Sequence, residues 1–127
     1  MFNVLNLQLM QWSIWRENDI PEVDDFAYFF CQQTGTLYCF GGYLNGVKSN
    51  ILFKIDINDK SSEILSQNIP PTKRQAKHVP CARTSSKMVL SAKQNSLYLF
   101  GGLNVINDTL NDMWRYDLEC HRWERIE

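Results

Sequence analysis

The 127 residues are 44% hydrophobic and 21% charged, with a net charge of −1, an ordinary balance for a soluble globular chain. No run approaches the roughly 18 consecutive apolar residues of a membrane helix. The amino terminus, MFNVLNLQLMQW, has no basic residue ahead of its apolar positions and interrupts them with Asn and Gln, which is not the pattern of a secretory signal. A cytoplasmic address is expected, with the nucleus as the alternative. The cysteines fit it: Cys31, Cys39, Cys81 and Cys120 stand in separate segments without a Cys-x-x-Cys pair. Cys31 and Cys39 read as small apolar filling within strands. A zinc set of His78, Cys81, Cys120 and His121 can be written down, but its spacing matches no familiar site, so no metal and no cofactor is expected.

In chain order, Phe2 to Leu7 and Gln11 to Trp15 read as two strands joined by a short turn. Arg16 to Asp25, RENDIPEVDD, is a connector with five acids against one arginine, and Pro21 stops any helix there. Phe26 to Cys31 is the next strand, Gln32 to Gly35 its turn, and Thr36 to Phe40 the strand that follows. Gly41 to Ser49 is a loop with an Asn45-Gly46 turn signal. Asn50 to Ile57 is a third strand and Ser62 to Leu65 a short fourth.

Ser66 to Thr84 is the longest irregular stretch, interrupted by Pro70, Pro71 and Pro80; irregular segments of this length in compact domains are often functional. It carries Lys73, Arg74, Lys77 and Arg83 and no acid. Strands are predicted again over Ser85 to Ser91, Ser96 to Phe100, Asn111 to Leu118 and Arg122 to Ile126. Asn107-Asp108-Thr109 matches a glycosylation sequon but, without a secretory signal, reads as loop.

One pattern recurs. Leu97-Tyr98-Leu99-Phe100 runs into Gly101-Gly102, with Tyr116-Asp117 fourteen positions beyond Gly102 and Trp123 seven beyond Tyr116. Leu37-Tyr38-Cys39-Phe40 runs into Gly41-Gly42, and the same frame then reaches Ile55-Asp56 and Ser62. A partial copy opens the chain, with Trp12 seven positions after Leu5. Four successive apolar residues mean strands buried on both faces. The double glycine is expected to end each strand, turning the chain with positive φ and letting Tyr116 or Trp123 lie close to the backbone. Ser62 in place of Trp makes the middle copy the less stable of the two complete ones.

These residues resemble the kelch repeat, whose motif is a hydrophobic run, a double glycine, and a spaced Tyr and Trp. Gly101, Gly102, Tyr116, Asp117 and Trp123 all match it; in the middle copy Gly41 and Gly42 match while Ile55 and Ser62 replace Tyr and Trp; Trp12 matches in the first. The Ala82-Arg83-Thr84 segment is similar to the Pro-Arg opening of many such repeats. The resemblance implies an all-β chain of consecutive four-stranded antiparallel blades of a β-propeller: the outer half of a blade over 1–15, a blade with an acidic connector over 16–65, and a blade with a long basic connector over 66–127. A ring of four or more blades needs more chain than this, so the ring is incomplete. The missing blades would come from a longer chain or from copies of itself.

The resemblance implies a module that binds a protein partner through loops, without catalysis. The two histidines stand in no nucleophilic setting, no glycine loop precedes a helix to hold phosphate, and the tyrosine and paired-histidine ligands of the copper oxidase site in some kelch-like propellers are missing. Loops between second and third strands should share a face with the connectors. That face would carry Arg16, Tyr43, Asn45, Lys73, Arg74, Lys77, Arg83, Asn107 and Asp108 as partner-binding residues, with adjoining acidic and basic patches. The alternatives are nucleic acid or an anionic surface held by the basic loop, against which stands the lack of an interleaved aromatic, or a non-catalytic segment of a larger enzyme or ubiquitin-ligase adaptor.

Overall fold

A computed structural model describes residues 23–127. The strands expected over Phe2 to Leu7 and Gln11 to Trp15, with Trp12 and Arg16, lie outside the described residues. The described chain is all-β apart from one turn of 3-10 helix. Two four-stranded antiparallel sheets follow one another. The first orders β2 (Ala27–Cys31), β3 (Thr36–Phe40), β6 (Leu52–Asp56) and β7 (Ser61–Ser66); the second orders β8 (Lys87–Ser91), β9 (Ser96–Leu103), β10 (Thr109–Asp117) and β11 (Arg122–Ile126). Each is a meander of four successively paired strands, although in the first a short hairpin of a separate sheet intervenes between the second and third.

The two sheets are one pattern used twice. Ala27 faces Phe40 as Lys87 faces Phe100, and Cys31 faces Thr36 as Ser91 faces Ser96, at a constant separation of 60 residues. Leu37 faces Ile55 as Leu97 faces Tyr116, and Lys54 faces Glu63 as Arg115 faces Glu124. Left-handed backbone recurs in step: Asp25 with Ser85, Gly35 with Asn95, Lys60 with His121. The motif aspartates explain one such turn. Asp56 Oδ1 accepts the N–H groups of Asn58 and Asp59 (3.0 and 3.3 Å), and Asp117 Oδ1 those of Glu119 and Cys120 (2.8 and 2.9 Å). Each carboxylate thus shapes the turn between third and fourth strands.

Alternation along the strands gives each sheet two apolar faces. On one side of the first sheet Leu37, Cys39, Phe53 and Ile55 cluster with Ile51. On its other side Ala27, Phe40 and Leu52 meet Met88, Leu97, Leu99, Trp114, Tyr116 and Trp123 of the second sheet, which makes the core between them. Trp123 is the keystone of that core. Its ring lies edge-on to Phe40, Tyr116 and Trp114, with centroids 5.3, 5.1 and 6.4 Å away, an arrangement that adds to simple area burial. The tyrosine hydroxyl donates to the Leu65 carbonyl (2.9 Å) and the Trp123 indole N–H to Ser66 Oγ (3.3 Å), so both motif aromatics tie the second sheet to the outermost strand of the first.

Several expectations need correction. β9 does not end at the double glycine; it continues through Gly101-Gly102 to Leu103, and Gly102 pairs with Leu110. What closes on the glycines is backbone and, at Gly102, the Ser86 hydroxyl, not an aromatic ring. A Cβ on Gly41 would stand 2.7 Å from the Arg83 carbonyl oxygen, and one on Gly102 2.5 Å from that of Thr84. The Gly41–Ser49 loop is a tight hairpin of β4 (Tyr43–Leu44) and β5 (Val47–Lys48), and β4 pairs in turn with β1 (Val23–Asp24) at the end of the acidic connector. The fourth strand of the first sheet is six residues long, not a stub. Within 66–84 a 3-10 helix spans Arg74–His78.

Candidate interaction face

Strand order fixes which loops share an end. Leu52 faces Ser66 and Phe40, Phe100 faces Lys87 and Met113, and Thr109 faces Leu103. The β3–β6 loop, the 67–86 connector and the 104–108 loop therefore leave the sheets at the same end.

The connector is stitched to both loops. Gly42 N–H donates to the Arg83 carbonyl (2.9 Å), Arg83 N–H to that of Ser49 (3.2 Å), and Thr84 and Leu103 exchange both backbone hydrogen bonds (3.0 and 2.8 Å). Asn50 supports it further back, its Nδ2 donating to the carbonyls of Ile69 (3.0 Å) and Pro80 (3.1 Å) while its Oδ1 accepts the Ile69 N–H (2.7 Å). Buried amide groups are thereby satisfied in a segment without strands.

Of the residues expected on this face, Arg83 is not on the surface. It is almost fully buried, and its guanidinium grips Asp112 through two bonds of 2.7 and 2.8 Å, with further bonds to the carbonyls of Gly101 (3.1 Å) and Cys81 (3.0 Å). Its charge belongs to an internal clasp, because a guanidinium offers five donors in the geometry a carboxylate and nearby carbonyls accept. Burial pushes the Asp112 carboxyl up, but Arg83 and the Trp114 indole N–H (2.8 Å) outweigh it and hold the group below its ordinary value. Sequence reasoning missed Asp112. The signal was there: it occupies the position that Ile51 takes one repeat earlier.

The other expected residues are exposed: Tyr43, Asn45, Lys73, Arg74, Lys77, Asn107 and Asp108. No ion pair within the described residues engages Lys73, Arg74 or Lys77. Lys48, not foreseen, joins the two loops. Its ammonium donates to the Asn104 carbonyl (2.8 Å), Asn107 Oδ1 (2.7 Å) and the Leu103 carbonyl (3.4 Å) and stands 5.8 Å from the centre of the Tyr43 ring. Asn104 Oδ1 accepts the N–H groups of Ile106 (3.1 Å) and Asp108 (3.0 Å), and its own N–H donates to the Asp108 carbonyl (3.1 Å). A loop so bonded holds Val105 and Ile106 out in water, 61% and 70% exposed, and Lys48 ties it to the hairpin on which Tyr43 and Val47 are also exposed.

His78, Cys81, Cys120 and His121 do not assemble; among the described residues no three His, Cys, Asp or Glu side chains converge as metal ligands would. Cys39 is fully buried, which pushes its thiol up, whereas hydrogen bonding from Thr34 lowers that of Cys31. All four cysteines are free. No helix among the described residues is long and apolar enough to cross a membrane.

A family model described as "Kelch motif" matches residues 88–127. The chain is similar to Kelch domain-containing protein 3 of Homo sapiens (27% identical over 120 residues, 91% of this chain and 30% of that protein) and of Bos taurus (26%, with the same coverage). It is also similar to Host cell factor 2 of Homo sapiens (26% identical over 141 residues, 95% of this chain and 17% of that protein). The chain thus spans less than a third of the relatives it matches. The matched kelch motif falls on the second sheet and the first sheet is built on the same register, so the two described four-stranded antiparallel sheets are consistent with kelch blades in a ring that does not close.

Proposed function

We propose that the chain is a protein-interaction module, without catalysis of its own, that meets its partner through the loops at the stitched end of the blades. The observation that carries this reading is the Lys48-braced pair of loops. Apolar tips fixed by hydrogen bonds lose little freedom on contact, and preorganisation of that kind favours binding. An exposed apolar group rimmed by polar residues is the usual mark of such a surface. Lys73, Arg74, Lys77, Asn45, Asn107 and Asp108 supply the rim.

In this reading 1–15 is the outer half of a blade, 16–65 and 66–127 are full blades with acidic and basic connectors, and the module works in the cytoplasm or nucleus, in keeping with its free cysteines. The blades missing from the ring come from a longer chain or from other copies. The test is a pull-down of identified partners with wild-type chain and with K73E/R74E/K77E. The triple variant should lose partners yet keep its melting temperature, since exposed charges contribute little to folding. Unchanged capture would reduce the basic segment to a linker. Nucleic-acid binding would instead show as association that weakens steeply with salt.

A further inference from the structure

The second blade leaves one face open, and that face is not a copy of the one it covers. Lys87, Phe100, Met113 and Ile126 face one another across its four strands. On this side Val89, Phe100 and Met113 are 54%, 48% and 38% exposed, whereas Ala27, Phe40 and Leu52, the same row of the first blade, are at most 3% exposed beneath the second. Stacking blades in series uses the small Ala27, which shares the core with Met88. Lys87 stands in its place and is exposed. Repeating the same seam would bury its ammonium against an apolar side chain, which costs more than the contact returns. Serial stacking of copies is closed from the other side as well, because Leu37, Cys39, Phe53 and Ile55 on the far face of the first blade are at most 1% exposed.

The charges give the open face a different complement. Lys87 lies on β8 and Glu124 on β11, the opposite edges of the sheet, with Phe100 and Met113 on the two strands between. Glu124 bonds Arg115 (3.2 Å), yet more than half of its side chain is exposed. A half-turn about an axis parallel to the strands exchanges the two edges. We infer that this face binds the same face of a second copy. Phe100 of each copy meets Met113 of the other near the axis, and each Lys87 stem crosses Ile126 of the other to bring its ammonium to Glu124. An apolar stem laid along a surface with its charge at the rim suits lysine, and an isologous contact makes each such pair twice. Opposed charges select this arrangement over a half-turn across the strands, which would lay β8 on β8 and leave each Lys87 without a carboxylate. With five residues in each edge strand, four strands spaced about 4.8 Å apart present a face of roughly 19 by 17 Å. That lies at the small end of specific interfaces, so the pair should be reversible. The loop end takes no part in it, and the inference is independent of the reading above.

Sedimentation velocity of the full chain over a range of concentrations tests it. The wild type should show a reversible dimer. F100K and M113K, at exposed positions, should each weaken it about tenfold or more while keeping the melting temperature. K87E and E124K should each weaken it about threefold or more, and mixing the two should restore wild-type affinity, because only the mixed pair matches at both edges. V105S/I106S, at the loop tips, should leave the dimer unchanged. A wild type that stays monomeric at every concentration would overturn the inference and leave the face to a blade of different sequence. A dimer that survives F100K and M113K would overturn it in favour of another surface, and one indifferent to both charge changes in favour of another orientation.

Discussion

The two blades share a backbone and differ in what fills it. In the first, Ile51, Phe53, Ile55 and Ser62 occupy the places that Asp112, Trp114, Tyr116 and Trp123 take in the second. The first set is apolar and ends in an exposed serine; the second is aromatic, hydrogen-bonded, and locked to Arg83. The opposite faces differ by circumstance rather than composition. Phe40 and Leu52 are buried beneath the second blade, while their counterparts Phe100 and Met113 are 48% and 38% exposed beside Val89. Ladder hydrogen bonds and the Asp56 and Asp117 turns set the blade; the side chains decide how firmly it holds its neighbour.

Trp123→Ala should have the largest effect, about 3–5 kcal/mol for deleting a buried aromatic, against no more than roughly 0.5 kcal/mol for Ser62→Ala at an exposed position. Urea denaturation of both variants checks this, and similar shifts would erase the distinction between the blades. Arg83→Ala strands a half-buried carboxylate and should also cost about 3 kcal/mol or more, whereas R83V/D112I, which copies Val23 and Ile51 of the first blade, should recover most of that loss. A double variant as unstable as the single would mean that the clasp cannot be exchanged for apolar packing.

Gly41→Ala places a methyl group against the Arg83 carbonyl at positive φ and should cost more than about 2 kcal/mol, while Gly46→Ala, at a hairpin tip with nothing nearby, should cost only about 1 kcal/mol for its positive φ. Equal thermal shifts would show that close approach adds nothing to the backbone preference. The smallest effect is on acid sensitivity. A depressed folded carboxyl lends stability that is complete above the ordinary Asp value of about 3.9 and is lost as pH falls through the lower folded value. Acid unfolding of R83V/D112I, which lacks Asp112, should therefore be flatter in that range than wild type.

Most of the blade framework was legible in the sequence. Thr36–Phe40 and Arg122–Ile126 have the predicted bounds, the first because a continuous apolar run between turn residues leaves little freedom in placing a strand, the second because the seven-residue spacing from Tyr116 to Trp123 locates it. The sheet of β1, β4 and β5 was not legible, since two-residue strands have no periodicity to detect. Arg83 was misplaced for a related reason: in a charge count it is one more cation of the basic stretch, and only its distance from Asp112 in the folded chain makes it internal. Lys48 was equally silent, its three acceptors lying more than fifty residues downstream. Comparing the repeats position by position would have revealed Asp112 as polar where its counterpart is apolar. Nothing comparable marks Lys48.

The Gly42 to Arg83 hydrogen bond has a consequence for how order spreads along the chain. The Gly42 amide, just past the second strand of one blade, finds its acceptor only in the connector of the next, so the first unit is not closed by its own residues alone. Stability in such an array resembles a row of coupled elements, each with an intrinsic term and a term shared with its neighbour. Loosening the second blade removes the bond at Gly42, the tryptophan over Phe40 and the Lys48 brace together. Fraying should therefore travel from the second blade into the first rather than remain where it begins.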